Sequence, residues 1–393
     1  MEQNENEKNT YESKQEYSKI NKDIVSALQE EKETKQNITY YTVNVNYYNE
    51  YEMYYLVIPQ DYLNQIDTLR LNKEDIFAKG KILTFSDEQS KFYFDAVIDS
   101  TEDNIYAYFV PIKEKYRNSM NLVGQYVVNE RTGDLTYYRM KQAIDEFTEG
   151  NCCSKHLEEY ILGKDVSSFI NMRLNNIFDY NRYYWASIPN FAELSASQEF
   201  LMKNIFLNEM NTIELKKDSD ENLICLIIYA IYQMRKKFQD KILVCSSSNS
   251  EADSIALDLL KMNKNVNILR IYAKNQEIIK RNKKLDEISF HKIIKKKFNR
   301  NFYDRYEKKD WIIKTSDIIV STCVNAYNDD IINYKFPFVI IIDANNSSEN
   351  ENLIPITLHA KHVLLISYEG SDNGEYNLYK RMNDLYPSIH KKI

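Results

Sequence analysis

The stretch Asn211–Ile228, NTIELKKDSDENLICLII, decides the fold. Thr212 and Ile213 sit in a short strand-like run, a polar loop follows, and Leu223 to Ile228 open an apolar helix-like run. That is the outline of a strand, a phosphate loop and a helix. Yet the loop holds no glycine and no lysine followed by Ser or Thr. No glycine occurs anywhere between Gly163 and Gly370, so a shifted alignment cannot supply one.

Working outward, the flanks carry the same logic. KILVCSSS (241–248), VNILRIYA (266–273), DIIVSTCV (317–324), FPFVIIIDA (336–344) and HVLLISYE (362–369) are short, nearly continuous apolar runs separated by helical or charged segments. Strands buried on both faces read this way, which predicts a parallel α/β sheet from about residue 185 onward. Upstream, residues 37–135 change period. ITYYTVNVNYY, YEMYYLVIP, GKILTFSD, KFYFDAVIDS, IYAYFVPI and GQYVV alternate aromatic or β-branched residues with polar ones. This predicts antiparallel strands closing into a small barrel. Residues 136–184 read as connecting helices (YYRMKQAIDEF, HLEEYILG), and residues 1–36 as a disordered, charged tail or fraying helix.

Composition bounds the function classes. At 393 residues with a formal charge of −7, the chain can bury two or three domains and is no simple polycation. Its 32 Tyr and 7 Gly match a codon bias toward Lys, Asn, Ile and Tyr, so tyrosine richness alone is no functional signal. The five Cys form no CxxC pair, which points to a reducing compartment. Cys152, Cys153 and His156 lack the fourth ligand of a tetrahedral metal site and read as helix-start residues; no metal is expected. The opening MEQNENEKNTYESKQEY is polar throughout, and the longest apolar run, Leu223–Tyr232, is too short to span a bilayer. The expectation is a cytoplasmic protein without a membrane partner. One local exception to the acidic balance is Arg270–Lys314, with fifteen Lys/Arg against six Asp/Glu, a local excess of nine positive charges.

LSASQEFLMKNIF (194–206), ILVCSSSNSEADSIALDLL (242–260), DIIVSTCVNAY (317–327) and FVIIIDANNSSENENLIPITLHAKHVLLI (338–366) follow one another as do the Q motif and motifs Ia, Ib and II to III of a superfamily 1 helicase. The chain resembles, more closely, the up-frameshift RNA helicases of nonsense-mediated mRNA decay. The resemblance covers roughly residues 37–393. It implies a RecA-like P-loop NTPase domain at 185–393 with a basic insertion near 274–314, preceded by an accessory barrel and stalk helices. It also implies ATP-dependent RNA helicase activity with Mg²⁺.

The departures from the family pattern fall on its chemistry. The phosphate loop GxxGxGK[ST] lies on Leu215–Asn222, where the glycines become Leu215, Asp218 and Asp220, the lysine becomes Glu221 and the Mg²⁺-binding hydroxyl becomes Asn222. A phosphate cradle aims backbone N–H groups and a lysine at anionic oxygens. An acid in that place opposes them, at a cost on the order of 4 kcal/mol for one like-charge contact near 4 Å at an effective dielectric of 20. In motif II Asp343 remains but the water-orienting acid is Ala344; in motif III the γ-phosphate-sensing Gln is Ser371. Gln198, the adenine-contacting residue of the resemblance, is retained. The segment that closes the sequence, NLYKRMNDLYPSIHKKI, leaves no room for a second RecA-like lobe within it.

The reading is therefore a degenerate, ATPase-dead helicase relative with no catalytic residue and no cofactor. It is expected to act as a scaffold for single-stranded RNA, for mRNA-decay or translation factors, or for both. The alternatives are an active RNA helicase using ATP and Mg²⁺, and a pure protein-interaction module. Ser248, Asn249, Thr322 and Cys323 align with backbone-contacting motifs and suit phosphate contacts; the same residues would equally cap the helices that follow. Lys295, Lys296 and Lys297 mark the densest point of the basic segment, which is either an electrostatic footprint or a solvated face.

Overall fold

The computed structural model describes residues 10–36, 41–48, 53–59, 82–87, 93–102, 106–111, 122–130, 134–166, 208–216, 221–235, 240–262, 266–273, 276, 282–297, 302–370 and 377–392. The chain divides into two compact units. One comprises residues 1–26, 135–271 and 283–393; the other comprises 27–134 and 272–282.

The smaller unit is a closed antiparallel barrel of six strands: β1 Tyr41–Tyr48, β2 Met53–Val57, β3 Ile82–Ser86, β4 Tyr93–Glu102, β5 Tyr106–Pro111 and β6 Gly124–Glu130. They run in the order β1-β2-β5-β4-β3-β6, and β6 closes onto β1 with Val43 opposite Tyr126. Alternation explains the closure. Val43, Val45, Tyr54, Leu56, Leu83, Phe85, Phe94, Ile98, Phe109 and Val128 all point inward and form one core. Phe85 is its centre, with ring centroids 4.7 Å from both Phe94 and Phe109. A register shift between Ile98 and Ser100 bends β4 as the barrel curves.

The larger unit is built on a seven-stranded sheet: β7 Met210–Leu215, β8 Ile242–Ser246, β9 Ile268–Arg270, β10 Ile318–Thr322, β11 Phe338–Ile342, β12 His362–Tyr368 and β13 His390–Lys392. The order is β13-β7-β12-β11-β8-β10-β9, and every pairing is parallel. The strands read as unbroken apolar runs because alternate residues feed two cores. Leu243, Cys245, Val339 and Ile341 face one layer; Ile242, Val244, Ile340 and Ile342 face the other. Each fully buried branched side chain contributes about 1.5–3 kcal/mol, so both layers of helices are needed. Helix α4, Glu221–Arg235, is buried continuously from Leu223 to Tyr232, and α5, Asn249–Met262, packs beside it.

Around these lie α2 Asp134–Glu149 and α3 Lys155–Ile161 before the sheet, and α6 Lys283–Ile288, α7 Phe290–Lys297 and α8 Phe302–Thr315 in the crossover from β9 to β10. Helices α9 Glu349–Ile356 and α10 Leu378–Leu385 follow β11 and β12. Both α2 and α3 contribute to the core of this unit through Ile144, Phe147, Leu157 and Tyr160.

Residues 14–36 form a 23-residue helix, α1. Two tyrosines account for its order: Tyr11 and Tyr17 are buried, as is Val25, and Lys14 Nζ lies 2.7 Å from Glu158. Tyr17 donates its hydroxyl to Glu349 at 3.0 Å, and Glu349 accepts two further bonds from Arg381, Nε at 2.9 Å and Nη2 at 2.6 Å. Tyr11 caps the guanidinium with its ring 5.3 Å away. Burial disfavours the Arg381 charge, but Glu349 outweighs it and holds the guanidinium above its ordinary value. Burial, with Glu349 beside them, pushes Tyr11 up to about 12 and Tyr17 well above its ordinary value, so both phenols stay neutral.

Two outcomes follow from this packing. Arg381→Met strands the Glu349 carboxylate and lowers unfolding stability by about 3–5 kcal/mol, whereas the double variant with Glu349→Leu recovers most of that loss in urea titration. On β13, burial holds His390 below its ordinary value although Glu214 pulls the other way. The native state therefore favours neutral His390, and its contribution is lost as pH falls through the ordinary histidine value near 6.5. The urea midpoint of the unaltered chain falls more between about pH 7.5 and 5.5 than that of His390→Gln.

Candidate nucleotide and nucleic-acid site

Parallel register brings the strand ends into one line. Leu215 pairs with Tyr368, Ile342 pairs with Ser246, and Ser246 pairs with Thr322. The loops after β7, β12, β11, β8 and β10 consequently leave one edge of the sheet, where ligands of open α/β sheets bind.

Asp343 stands at the centre of that edge. It follows β11 in a left-handed conformation, φ 58°, which asparagine and aspartate tolerate better than other L residues. Its carboxylate accepts from Asn346 Nδ2 at 2.8 Å and 2.9 Å and from Ser247 Oγ at 3.2 Å. Both oxygens are thus engaged by neighbours on the β11 and β8 loops. Ala344 follows as a fully buried methyl group, with its carbonyl accepting from Asn352 at 2.9 Å.

Beside it three carboxylates of the edge are paired internally, while Lys216, directly after β7, is exposed. Tyr368, at the end of β12, donates its hydroxyl to Glu251 on α5 at 2.8 Å. Lys392 Nζ lies 3.2 Å from both Glu214, next to the end of β7, and Glu369, just after β12. The lysine that sequence reasoning missed there is therefore already shared between two carboxylates. Nothing in the three-residue polar stretch His390–Lys392 signals a strand, so neither β13 nor this pairing could be found from the sequence.

The other nominated positions separate. Gln198, Ser371 and residues 217–220 lie outside the described residues. Glu221 and Asn222 open α4, and their side chains lie outside them also. Ser248 caps α5, its Oγ accepting from the Glu251 N–H at 3.1 Å. The Asn249 amide oxygen accepts from Arg270 Nη2 at 2.9 Å, and Arg270, fully buried, also donates to Asp253 at 2.8 Å. This network ties the start of α5 to β9. Thr322 is half-buried at the strand edge. Cys323 is buried, and its hydrogen bond with Cys245, with burial added, pushes the thiol well above its ordinary value. It sits behind the edge and presents no group to a ligand in front of it.

Lys295 and Lys296 are exposed on α7, and the Lys297 side chain is outside the described residues. A cleft of about 780 Å³ lies there, lined by Lys283, Lys292, Lys295 and Lys296 with Asp286 and Glu287. Lys292 stands 3.7 Å from Asp286, so the cations outnumber their acidic neighbours. Among the described residues no His, Cys, Asp and Glu side chains are grouped so as to hold a metal ion, and no helix is long and apolar enough to cross a membrane.

The AAA domain family matches residues 280–366. ATP-dependent helicase NAM7 of Saccharomyces cerevisiae is 26% identical over 254 residues, 59% of this chain and 25% of that protein. ATP-dependent helicase upf1 of Schizosaccharomyces pombe is 26% identical over 260 residues, 59% of this chain and 27% of its own length. A regulator of nonsense transcripts 1 homolog of Arabidopsis thaliana is 24% identical, again over 59% of this chain, and is matched over 20% of its length. The chain thus spans about a quarter of the curated relatives it matches. Among solved structures, the C-terminal domain of a possible DNA helicase from Lactobacillus plantarum WCFS1 aligns with 50% of this chain and 96% of that one, at 13% identity and a TM-score of 0.27, too loose to argue from. The fold rests instead on the strand order and parallel register above. In motif order and in its curated similarities the chain is similar to the up-frameshift type of superfamily 1 helicase.

Proposed function

We propose that this chain is a nucleotide-independent relative of the nonsense-mediated-decay helicases that works as an RNA-binding scaffold in mRNA decay or translation, in the cytoplasm. The observation that carries the reading is the state of Asp343. It is the one acid retained from the family's metal-binding motif, and its two oxygens are taken up by Asn346 and Ser247. The residues around it do not fit a magnesium nucleotide. A triphosphate needs cations and free N–H donors, whereas this edge carries Glu214, Glu251 and Glu369, and Lys392 there is already bridged between two of them. The sequence between β7 and α4 sets Asp218 and Asp220 beside Lys216 and Lys217, and α4 opens on Glu221 where the family has its lysine.

Binding of RNA rests on charge. Phosphate neutralisation by surface lysines is sequence-independent and falls with salt. The exposed Lys295 and Lys296 beside Lys283 and Lys292 supply such a surface. Ser248 and Asn249 have internal partners, so the α7 face, more than the strand edge, supports the RNA reading.

Fluorescence anisotropy with a labelled single-stranded oligoribonucleotide tests it. The expected result is binding at low ionic strength that weakens as salt rises, with the slope of log K against log salt reduced by about 0.7 for each of Lys295→Gln and Lys296→Gln. Absence of binding at low salt contradicts the RNA reading. ATP turnover above background that Asp343→Ala abolishes would establish the active-helicase reading in its place.

A further inference from the structure

Parallel register also gathers the opposite ends of the strands. Met210 pairs with Val363, His362 with Phe338, and Phe338 with Ile242. The residues that lead into β7, β12, β11 and β8 are Glu209, Lys361, Pro337 and Lys241, and all four line one cleft of about 840 Å³. That volume lies in the range of small-molecule sites. The cleft is at the amino ends of the strands, away from the edge that holds Asp343.

Backbone hydrogen bonds fix its walls. The Phe336 N–H donates to the Leu358 carbonyl and the Lys361 N–H to the Pro337 carbonyl, each at 2.9 Å. On the other side, the His359 N–H donates to the Cys152 carbonyl at 2.6 Å and the Ser154 N–H to the Ala360 carbonyl at 2.8 Å. Residues 335–337, 358–361 and 152–154 therefore lie side by side. These N–H groups already have partners, so recognition of a ligand falls to side chains.

The partners of those side chains set the sign of the ligand. Glu209 is 5% exposed, and its oxygens are engaged by Ser154 Oγ and by His156 Nδ1, the latter at 3.2 Å. Lys241 Nζ donates to the carbonyls of Ile313, Lys314 and Ser316 at 2.8, 2.7 and 2.8 Å, which closes the end of α8. Lys335, Lys361 and His359 are exposed, and among the described residues no hydrogen bond or ion pair engages their side chains. Asp240, half-buried, is the remaining acid of the lining. Two ammonium groups and an imidazole thus surround the opening, with its buried carboxylate already satisfied.

We propose that this cleft binds a small polyanion with phosphoryl or carboxylate groups, held by the Lys335 and Lys361 ammonium groups and by the His359 imidazole. An ammonium is a compact point charge that meets either kind of oxyanion. A nucleic-acid backbone tracks an extended basic groove, whereas these groups converge on one compact opening. The assignment is independent of the α7 lysines and of the Asp343 edge.

The test is isothermal titration calorimetry of the full chain in magnesium-free buffer, with inorganic pyrophosphate in one arm and citrate in the other. Saturable one-site binding of at least one probe, still present at about 0.15 M salt, is expected, and the arm that binds identifies the chemistry. Lys335→Gln and Lys361→Gln each weaken it about threefold or more. His359 has a left-handed backbone, φ 65°, so His359→Asn removes the imidazole without adding strain and weakens binding likewise. Lys216→Gln at the other end of the sheet and Lys295→Gln on α7 leave it unchanged. Unaltered urea midpoints of the two cleft lysine variants separate lost contact from lost folding. The proposal is overturned by no saturable binding of either probe up to about 1 mM, or by binding that vanishes at about 0.15 M salt. Binding that Lys216→Gln or Lys295→Gln weakens while the cleft variants do not overturns it equally.

Discussion

Everything at the strand edge follows from parallel register. Because β7, β12, β11, β8 and β10 hydrogen-bond in step, their five connecting loops emerge side by side. In such a sheet the loop residues are brought together by the backbone whether or not they retain chemistry. The fold is held by apolar layers on both faces, from Ile242 and Val244 to Leu243 and Cys245, and none of that packing depends on a phosphate. A nucleotide site can therefore lose its glycines and lysine while the frame that would position them persists.

Several polar groups at the strand edge pair with one another. Asn346 and Ser247 take the Asp343 carboxylate, Tyr368 takes Glu251, and Lys392 bridges Glu214 and Glu369. Each satisfies a polar group that would otherwise face solvent or a ligand. The Arg381–Glu349 pair with Tyr11 and Tyr17 does the same beside α9, where it also anchors the amino-terminal helix.

The sheet and the barrel were legible in the sequence because their signals are local. Continuous apolar runs such as ILVCS and FVIII mark strands covered on both sides, and alternation in YTVNVNYY marks a strand with one wet face. The start of α1 was not legible: Tyr11, Tyr17 and Val25 are too sparse among Glu, Lys and Asn to reveal a buried face, and the group that orders them, Glu349, lies 332 residues away from Tyr17. Strand β13 reads as three polar residues and becomes a strand only because β7 offers it an edge. Of the nominated site residues, Asp343 was recognisable by motif, but its partners were not. Cys323 lay in a plausible motif position and faces the core, a distinction that needs the register of β10 against β8.

The central claim is that the frame survives without nucleotide affinity, and a thermal shift with ATP tests it most directly. A ligand that binds the native state at a hundred times its Kd stabilises it by about 2.7 kcal/mol, well within reach of a melting curve. The account predicts that Tm stays unchanged with millimolar ATP whether or not Mg²⁺ is present. A Tm that rises with ATP and rises further with Mg²⁺ would contradict it.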